Sequence, residues 1–432
     1  MKNVFVVGLD AFNRDLLEAL PEAREVRFHA LLDFDEVRGR NDYPVEVLLA
    51  RCQERLSCFE GSVDGFLGFL DFPVTLILPL LCRRYGLPGP SFDAVMRCEH
   101  KLWSRLLQKQ VVPENVPYFA GFDPYRRRPL EGLELQPPFW IKPVKSFRSY
   151  LAFRIDGRAS LAAALYDMRR NVKRLAEPFE RLVDRVQLPP ELAGRRNIIG
   201  IAEQALAGHQ CTVEGYVYQG EVTVYGVVDS IQSDHASSFQ RYEYPSGLPR
   251  SVHIRMAEVC QRLMPHLAYD HGTFNAEFFY DPLEDRLGLL EINPRHSQSH
   301  AYLFKQLHGV ANHQVAVQLA LGRKPCLPEI APDGGVAAKF MLRSWHDAFI
   351  TRVPGLGERA ALIERWPNAH LEVLVQPGQR LSNLAAQDSY SFELADLYLS
   401  AQNSEALERA YREIVAGLTF RCAQETDLEM PM

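Results

Sequence analysis

The chain has 432 residues, of which 47% are hydrophobic and 24% are charged, so it predicts a folded protein of two or three domains and excludes long disorder. A net charge of −6 and an isoelectric point near 6.1 argue against nucleic acid as the main partner, because such proteins normally carry a strong basic patch. The N-terminus lacks the long apolar region of a signal peptide, and no apolar run is long enough for a membrane span. Since the eight cysteines form no Cys-x-x-Cys pair, we expect a cytoplasmic protein with reduced thiols.

The first hundred residues alternate short apolar strands with helices. The expected strands span 2–8, 27–32 and 64–69, and the expected helices span 13–20 and 73–85. This alternation predicts a small parallel α/β domain. The turn after the first strand keeps only the first glycine, Gly8, of the dinucleotide-binding fingerprint, so we expect an ordinary strand-to-helix connection there.

The remaining sequence mixes both patterns. In chain order we expect a helix at 99–110, a strand at 139–143, a helix at 161–182, strands at 197–206, 210–218, 221–231, 273–280 and 286–293, and helices at 301–307 and 314–321. After a linker at 325–332, short strands at 336–342 and 370–375 and a final helix at 404–418 predict a separate small domain.

Two carboxylates interrupt the apolar hairpin expected at 273–293. Glu277 lies in its first strand, and Glu291 and Asn293 lie two residues apart in its second, so their side chains can share one side. Two carboxylates and an amide oxygen suit Mg²⁺, which prefers oxygen ligands and shares its remaining positions with water and phosphates. Arg295, two residues further on, would bind a carboxylate or phosphate oxygen on the same side. For either acid alone, a salt-bridged edge-strand position is the alternative.

Two lysines upstream offer the positive charge that a polyphosphate requires. Lys142 lies in the apolar strand 139–143, where an ammonium group is costly unless it meets an anion. Lys101 lies on the preceding helix, where a solvated position is the ordinary alternative. Together with the oxygen ligands, the two lysines indicate a phosphate-bearing substrate.

In this order and spacing, these motifs resemble those of the ATP-grasp enzymes, over about residues 99–321. The resemblance rests on Lys101 after the acidic Glu99, on Lys142 before Pro143, on the segment from Glu203 to Gly208, and on the Leu-Glu-Ile-Asn-Pro-Arg run that ends at Arg295. It implies nucleotide binding by Lys101, Lys142, Ser149, Glu203, Leu206 and Gln210, metal binding by Glu277, Glu291 and Asn293, and a catalytic Arg295.

The resemblance also implies a domain organisation. Residues 1–98 are similar to the parallel α/β domain that precedes the ATP-grasp domain in this superfamily, and residues 333–432 are similar to the small C-terminal α+β domain of its carboxylase-like and amino-acid-ligase-like branches. The ATP-grasp domain would span 99–325, with an ATP lid subdomain at about 139–232.

Some segments depart from the family pattern. The loop 144–150 has no glycine where the family usually has a glycine-rich phosphate loop. Either Lys145 and Arg148 contact the phosphates instead, or the loop is less mobile than in the family. Gln210 stands where many members have a ribose-binding glutamate, and its amide can still bond a ribose hydroxyl. The segment 296–300 would either shape the acceptor pocket or cap the helix that follows.

Five residues are candidates for substrate binding. Glu214 would bind an ammonium group or else face solvent. His235, as a base, and Arg241, as a carboxylate clamp, would lie in a polar loop that borders the substrate, with a surface position as the alternative for each. Ser297 and His300 belong to the segment after Arg295.

The implied activity is ATP-dependent ligation, in which a carboxylate becomes an acylphosphate and is then joined to an amine, with ATP and Mg²⁺ (or Mn²⁺) as cofactors. The implied partners are a small carboxylate and a small amine, without nucleic acid or membrane. The resemblance also makes a homodimer an expectation. The alternatives are a biotin-carboxylase-like enzyme that activates bicarbonate and a nucleotide-binding regulator without turnover.

Overall fold

The computed structural model describes residues 1–38, 43–146, 150–196, 198–233, 236–330, 335–384 and 391–423. The N-terminal elements are β1 (Lys2–Leu9), α1 (Ala11–Glu18), β2 (Val26–Asp33), α2 (Phe34–Arg38), α3 (Val45–Ser57), β3 (Gly65–Leu67), α4 (Val74–Tyr85), α5 (Phe92–Glu99) and α6 (Lys101–Val111). Then follow β4 (Phe119–Phe122), β5 (Phe139–Pro143), β6 (Phe153–Ile155), α7 (Arg158–Asn171), α8 (Lys173–Val183), β7 (Gly200–Gln204) and β8 (His209–Tyr218).

The second half of the chain contains the hairpin and the C-terminal elements. These are β9 (Glu221–Ser233), β10 (Ala236–Tyr244), α9 (Arg250–His266), β11 (Gly272–Asp281), β12 (Arg286–Asn293), α10 (Gln298–His308), α11 (His313–Ala320), β13 (Val336–Ser344), β14 (Phe349–Arg352), α12 (Leu356–Arg365), β15 (His370–Val373), β16 (Phe392–Ala401), α13 (Ser404–Ala416) and β17 (Arg421–Ala423). Short 3₁₀ helices are Pro21–Arg24, Pro113–Asn115 and Leu381–Asn383. Within the described ranges, no helix has the length and apolar character needed to cross a membrane.

The chain forms two compact units. The first contains Met1–Gly226, Leu248–Gln298 and His313–Cys326, and the second contains Val227–Gly247, Ser299–Asn312 and Leu327–Met432. The chain therefore passes between the units within β9 and again within α10. The three-domain division into 1–98, 99–325 and 333–432 stays a prediction.

The first unit begins with the parallel sheet that the sequence predicts, in the order β2-β1-β3. β1 is held in the core because Val4, Val6 and Val7 are fully buried. Asp10 then starts α1 by accepting a hydrogen bond from the Asn13 backbone N–H at 2.7 Å. The turn after β1 is thus an ordinary strand-to-helix connection, as expected.

A four-stranded antiparallel sheet, in the order β4-β7-β5-β6, lies against α7 in the same unit. Ile141, Met168, Val172 and Ala202 form the fully buried centre of this core. The single helix predicted for 161–182 is two helices, α7 and α8, with Val172 between them.

The second unit has an antiparallel arrangement in which β10, β13, β16 and β15 follow the end of β9. Its core joins Phe340 and Leu397 of the strands with Leu407 and Ile414 of α13. The polar loop predicted around 234–242 is wrong, because residues 236–244 form β10.

Candidate active site

Three strands of the first unit, β8, β11 and β12, carry polar side chains at alternate positions of one face. Because successive side chains of a strand point to opposite faces, the other face holds apolar residues such as Val213, Phe274 and Ala276, which are fully buried. The polar face, set by the antiparallel register, consists of Gln210, Thr212, Glu214, Thr273, Asn275, Glu277, Glu291 and Asn293. Sequence reasoning did not select Thr212, Thr273 and Asn275, although the period of two was the signal: Thr212 is two residues from Glu214, and Asn275 and Thr273 are two and four residues from Glu277.

Glu277 and Glu291 lie directly opposite one another on β11 and β12. Burial and the negative charge of Glu291 raise the pKa of Glu277 to about 7. Burial also acts to raise the pKa of Glu291, but Lys101 and Lys142 outweigh it and hold the pKa of this carboxyl at about 2. Glu291 is therefore ionised, whereas burial opposes the ionisation of Glu277 beside it.

These residues fit a hard divalent cation. Asn293 Nδ2 donates to Glu277 Oε1 at 3.2 Å and to Asn275 Oδ1 at 2.9 Å, so hydrogen bonds already join two of the predicted ligands. An opposite charge at this position would favour the ionised form of Glu277 and offset its burial. Because the donor set consists of carboxylate and amide oxygens, it suits Mg²⁺, and Mn²⁺ by the same chemistry.

Lys101 and Lys142, the two predicted phosphate-binding lysines, each meet a glutamate. Lys101 forms an ion pair with Glu291, and Lys142 Nζ lies 2.5 Å from Glu203 Oε2. Burial lowers the pKa of Lys142. For Lys101, burial opposes the charge, but Glu291 outweighs it and raises the pKa. One buried lysine, Lys142, and one partly buried lysine, Lys101, are therefore held beside the predicted metal ligands.

The position of Lys101 follows from a break that sequence reasoning missed. The helix predicted for 99–110 is divided, because α5 ends at Glu99 and α6 begins at Lys101. Between them, His100 is extended, and its Nδ1 accepts a hydrogen bond from the Trp103 backbone N–H at 3.2 Å. Lys101 is consequently the first residue of a new helix.

Glu203, predicted to hold adenine, is buried between two cations. Arg105 forms an ion pair with its Oε1, and Lys142 is paired with its Oε2. Burial would raise the pKa of Glu203, but Arg105 and Lys142 lower it to about 2. Sequence reasoning missed Arg105, although it lies four residues after Lys101 on the same side of α6. The contact between Glu203 and adenine stays a prediction.

The segment after β7, which contains Leu206, packs closely against the β11–β12 hairpin. A side chain at Gly288 would have its Cβ 2.6 Å from Leu206 Cδ2. A Cβ at Gly208, where φ is +102°, would lie 2.2 Å from the carbonyl oxygen of Tyr280. Glycine at 208 is therefore required by both space and backbone conformation.

Gln210, predicted to contact ribose, instead has a partner on the polar face. Its Nε2 donates to Glu277 Oε2 at 3.2 Å. This contact helps to position the carboxylate whose ionisation burial opposes. The ribose contact of Gln210 stays a prediction.

Arg295, the predicted catalytic residue, is bound by an acid from the N-terminal part of the first unit. Its Nε donates to Asp71 Oδ1 at 2.6 Å, and its Nη2 lies 2.5 Å from the same oxygen. Burial would lower the pKa of Arg295, but Asp71 outweighs it and raises the pKa. No local pattern marks Asp71, which lies 224 residues before its partner.

Lys145, the alternative phosphate contact in the loop 144–150, is buried and forms an ion pair with Glu99. Its Nζ lies 5.5 Å from the ring centre of Phe72 and 5.8 Å from that of Phe179. Burial lowers the pKa of Lys145 to about 8. Ser149 and Arg148 lie outside the described residues, so their predicted roles stay predictions.

Two substrate candidates of the first unit contact each other. Glu214 is fully buried, and its Oε1 and Oε2 accept hydrogen bonds from the Ser297 backbone N–H at 3.1 and 3.4 Å. Tyr225 also donates to Glu214 Oε2, at 3.4 Å. Glu214 is thus not solvent-facing, and its carboxylate holds main chain just beyond Arg295.

Of the other substrate candidates, two belong to the second unit, and one lies outside the residues that the structure describes. Arg241 lies in β10 and forms ion pairs with Glu243 at 2.9 Å and with Glu408 at 3.0 Å. His300 is buried, and its ring contacts that of Tyr242 edge-on at 5.0 Å. His235 lies outside the described residues. The roles proposed for these side chains in substrate binding stay predictions.

Comparison with known proteins identifies a domain that contains most, but not all, of the residues of this site. Residues 135–301 match the family model of the ATP-grasp domain, so the chain contains an ATP-grasp domain, as predicted. The C-terminal section of the carbamoyl phosphate synthase large chain from Methanopyrus kandleri is 26% identical over 268 residues, which cover 61% of this chain and 44% of that protein. The chain thus spans less than half the length of this curated relative.

Solved structures confirm the predicted fold class. An L-amino acid ligase from Bacillus licheniformis superimposes with a TM-score of 0.75 and 18% identity, over 98% of this chain and 99% of that chain. Biotin carboxylase from Campylobacter jejuni, in a β-γ-ATP complex, superimposes with a TM-score of 0.61 and 13% identity, over 98% and 92% of the two chains. At these identities the likeness concerns the fold. The predicted cofactors, ATP and Mg²⁺, are those of ATP-grasp ligases.

Proposed function

Because the chain contains an ATP-grasp domain, we propose that it is an ATP-dependent ligase that activates a carboxylate as an acylphosphate and joins it to an amine. The observation that carries this proposal is the partly buried group of charges in which Glu291 is opposite Glu277 and paired with Lys101. Several buried charges of both signs are costly unless a function retains them. Polyphosphate transfer requires both signs, because phosphates need cations and their metal ion needs carboxylates.

Glu277, Glu291 and Asn293 would hold Mg²⁺, which supplies positive charge to the phosphate oxygens when it is bound. Lys101 and Lys142 would offset the charge of the α- and β-phosphates, after exchanging their glutamate partners for phosphate oxygens. Glu203, Leu206, Gln210 and Ser149 would hold the nucleoside and the phosphate loop. This work consists of positioning and charge stabilisation, with little covalent chemistry by the protein.

In the first step, a carboxylate oxygen of the substrate attacks the γ-phosphorus, and the bond to the bridging oxygen of ADP breaks. In the second, the amine nitrogen attacks the acyl carbon, phosphate leaves, and the nitrogen loses a proton. Arg295 would stabilise negative charge on the phosphoryl group or on the tetrahedral oxygen, since its guanidinium is fixed in place by Asp71. The carboxylate and the amine are small molecules, and amino acids are the first candidates, by analogy with the L-amino acid ligase that shares the fold.

The test measures ADP release from Mg-ATP across a panel of amino acids and small carboxylic acids, alone and in pairs, with and without bicarbonate. We expect ADP release to depend on a specific pair, with one ADP formed for each amide bond. Dependence on bicarbonate would favour the carboxylase-like alternative, and nucleotide binding without stimulated release would favour the regulator. Gel filtration with light scattering tests the predicted homodimer, and fractionation of cells tests the predicted cytoplasmic location.

A further inference from the structure

The main chain directly after β12 is held by side chains at three consecutive residues. Asn275 Nδ2 donates to the Arg295 carbonyl oxygen at 3.2 Å, and the His296 backbone N–H donates to Thr273 Oγ1 at 3.1 Å. The Ser297 backbone N–H donates to Glu214. All three anchoring side chains belong to the polar face. The main chain that carries Arg295 is thus fixed to the same strands that carry the predicted metal ligands.

A chain of hydrogen bonds extends this anchoring into the core of the first unit. Thr273 Oγ1 lies 3.3 Å from His296 Nδ1, and His296 Nε2 lies 2.8 Å from His313 Nδ1. His313 Nε2 lies 2.9 Å from Asn13 Oδ1. Asn13 Nδ2 in turn donates to both carboxylate oxygens of Asp10 at 2.9 Å. This series of hydrogen bonds therefore links the start of α1 to His296, the residue that follows Arg295.

The position of each proton in this chain can be derived. Asn13 Nδ2 donates to both oxygens of Asp10, so Asn13 Oδ1 is the atom that must accept from His313 Nε2–H. In a neutral His313, Nδ1 then accepts from His296 Nε2–H. His296 Nδ1 is left to accept the Thr273 hydroxyl proton, while that hydroxyl oxygen accepts from the His296 backbone. With neutral imidazoles, this arrangement of protons satisfies the contacts named above.

This arrangement is written with neutral imidazoles, and the surroundings of His313 favour its neutral form. His296 and His313 are fully buried, and the Phe69 ring stacks on His313 with centres 4.4 Å apart. Burial lowers the pKa of His313 to about 3, so this imidazole is uncharged at neutral pH. A directional chain of neutral groups has one low-energy geometry, which makes it suited to holding a backbone in place.

We propose that Asn13, His313, His296 and Thr273 form a positioning chain that fixes the main chain of Arg295 for phosphoryl transfer. The inference rests on the proposed function, because it assigns Arg295 to the reaction. None of the four side chains needs to touch substrate. Their effect is exerted through the backbone of residues 295–297, where a small displacement of a catalytic group has a large effect on rate.

The test compares Thr273→Val and Asn13→Leu with Thr273→Ser and Arg295→Lys in the full chain. Valine has the shape of threonine without the hydroxyl, whereas serine keeps it. Turnover is measured as ADP release from Mg-ATP with a mixture of the standard amino acids and bicarbonate. We expect Thr273→Val and Asn13→Leu to lower kcat by about 10- to 100-fold, as expected for residues that orient a functional group.

The KM for ATP should change by less than about threefold, because the four side chains of the positioning chain are not among the described contacts of Lys101 and Lys142. Thr273→Ser should restore most of kcat, because serine keeps the hydroxyl. Hydrogen exchange supplies a readout independent of turnover: the amides of His296 and Ser297 should exchange faster in Thr273→Val. If one of the two variants does not fold, the other carries the test.

Three results would overturn the inference, and each has a different meaning. Wild-type kcat in Thr273→Val and Asn13→Leu, beside an inactive Arg295→Lys, would remove the positioning role and leave the proposed function intact. Full activity of Arg295→Lys would remove the role of Arg295 itself, and the inference with it. An equal loss of kcat in Thr273→Ser and Thr273→Val would also contradict the role of the hydroxyl.

Discussion

At the residue scale, the site is organised by ion pairs between residues that lie far apart in sequence. Lys101 reaches Glu291 over 190 residues, and Arg295 reaches Asp71 over 224. The members on the hairpin could be predicted, because carboxylates in apolar strands are costly and therefore conspicuous. Asp71 could not, because its role depends on a partner that no local pattern reveals.

The carboxylate of Glu291 gives the most direct prediction. Glu291→Gln keeps the size of the side chain but removes the charge that is paired with Lys101 and lies opposite Glu277. We expect ADP release to fall by at least about 100-fold, because this charge is needed for the metal ion and for the lysine. The measurement is kcat at saturating Mg-ATP. Glu284→Gln, at an exposed position of the same hairpin, is the matched control and should retain activity within about twofold. Near-normal turnover in Glu291→Gln would contradict the assignment.

The buried histidine His313 gives a prediction about stability and pH. Its pKa in the folded chain is about 3, below the ordinary value of 6.5, so the unfolded chain binds a proton at pH values where the folded chain does not. The contribution to stability is complete above pH 6.5 and is lost as the pH falls from there toward 3, by about 1.4 kcal/mol per pH unit. When the pH falls from 7 to 5.5, the wild type should therefore lose about 1 kcal/mol more unfolding free energy than His313→Gln does.

This difference can be measured by urea unfolding at the two pH values. His346→Gln, which removes an exposed histidine, serves as the control variant. If the wild type and His313→Gln lose the same free energy between pH 7 and pH 5.5, then His313 is not held neutral in the folded chain.

At the element scale, strands with one apolar face could be predicted and those without could not. The hairpin β11–β12 alternates between apolar and polar residues and ends at Asn293, close to the expected bounds. β10 carries polar and ionic residues such as Ser238, Arg241 and Glu243, whose partners lie elsewhere in the second unit, so its sequence has the composition of a loop. The break between α5 and α6 was missed because the cap is a histidine, which is not among the residues that usually begin a helix.

The connection between β7 and β8 gives a prediction at this scale. Gly208→Ala should lower the free energy of unfolding by at least about 2 kcal/mol more than Gly220→Ala. Both glycines have positive φ, +102° and +79°, so both variants incur backbone strain. Only at Gly208 would the new Cβ meet backbone, 2.2 Å from the Tyr280 carbonyl oxygen, whereas at Gly220 no atom lies within 4 Å. Urea unfolding of the two variants separates the steric effect from the conformational one, and equal losses would contradict the close packing of this segment.

At the scale of the whole molecule, the fold class could be predicted, whereas the division into two compact units could not. Sequence reasoning assumes that a domain is a continuous stretch, as in the predicted C-terminal domain 333–432. The second compact unit combines Leu327–Met432 with Val227–Gly247 and Ser299–Asn312 from the middle of the chain. Composition and periodicity do not indicate that separated segments belong to one unit, since both are properties of neighbouring residues.

A fragment of residues 333–432 tests the interleaved arrangement. β13 pairs with β10 on one side and with β16 on the other, and β10 is absent from the fragment. One edge of β13 would be left unpaired, and an exposed strand edge promotes association with other chains. We expect the isolated fragment to aggregate or to lack cooperative unfolding, as measured by light scattering and thermal melting beside the full chain. A stable, cooperatively unfolding monomer would show that the continuous stretch is sufficient.

The interleaving also has a consequence for inheritance. A single crossover between two genes exchanges everything on one side of a cut, and no single cut separates two units whose segments alternate along the chain. A new C-terminal unit therefore cannot be acquired intact by one recombination event near residues 325–332. Diversification of this architecture is expected to proceed by substitution within each segment, with β10 and β13 changing together.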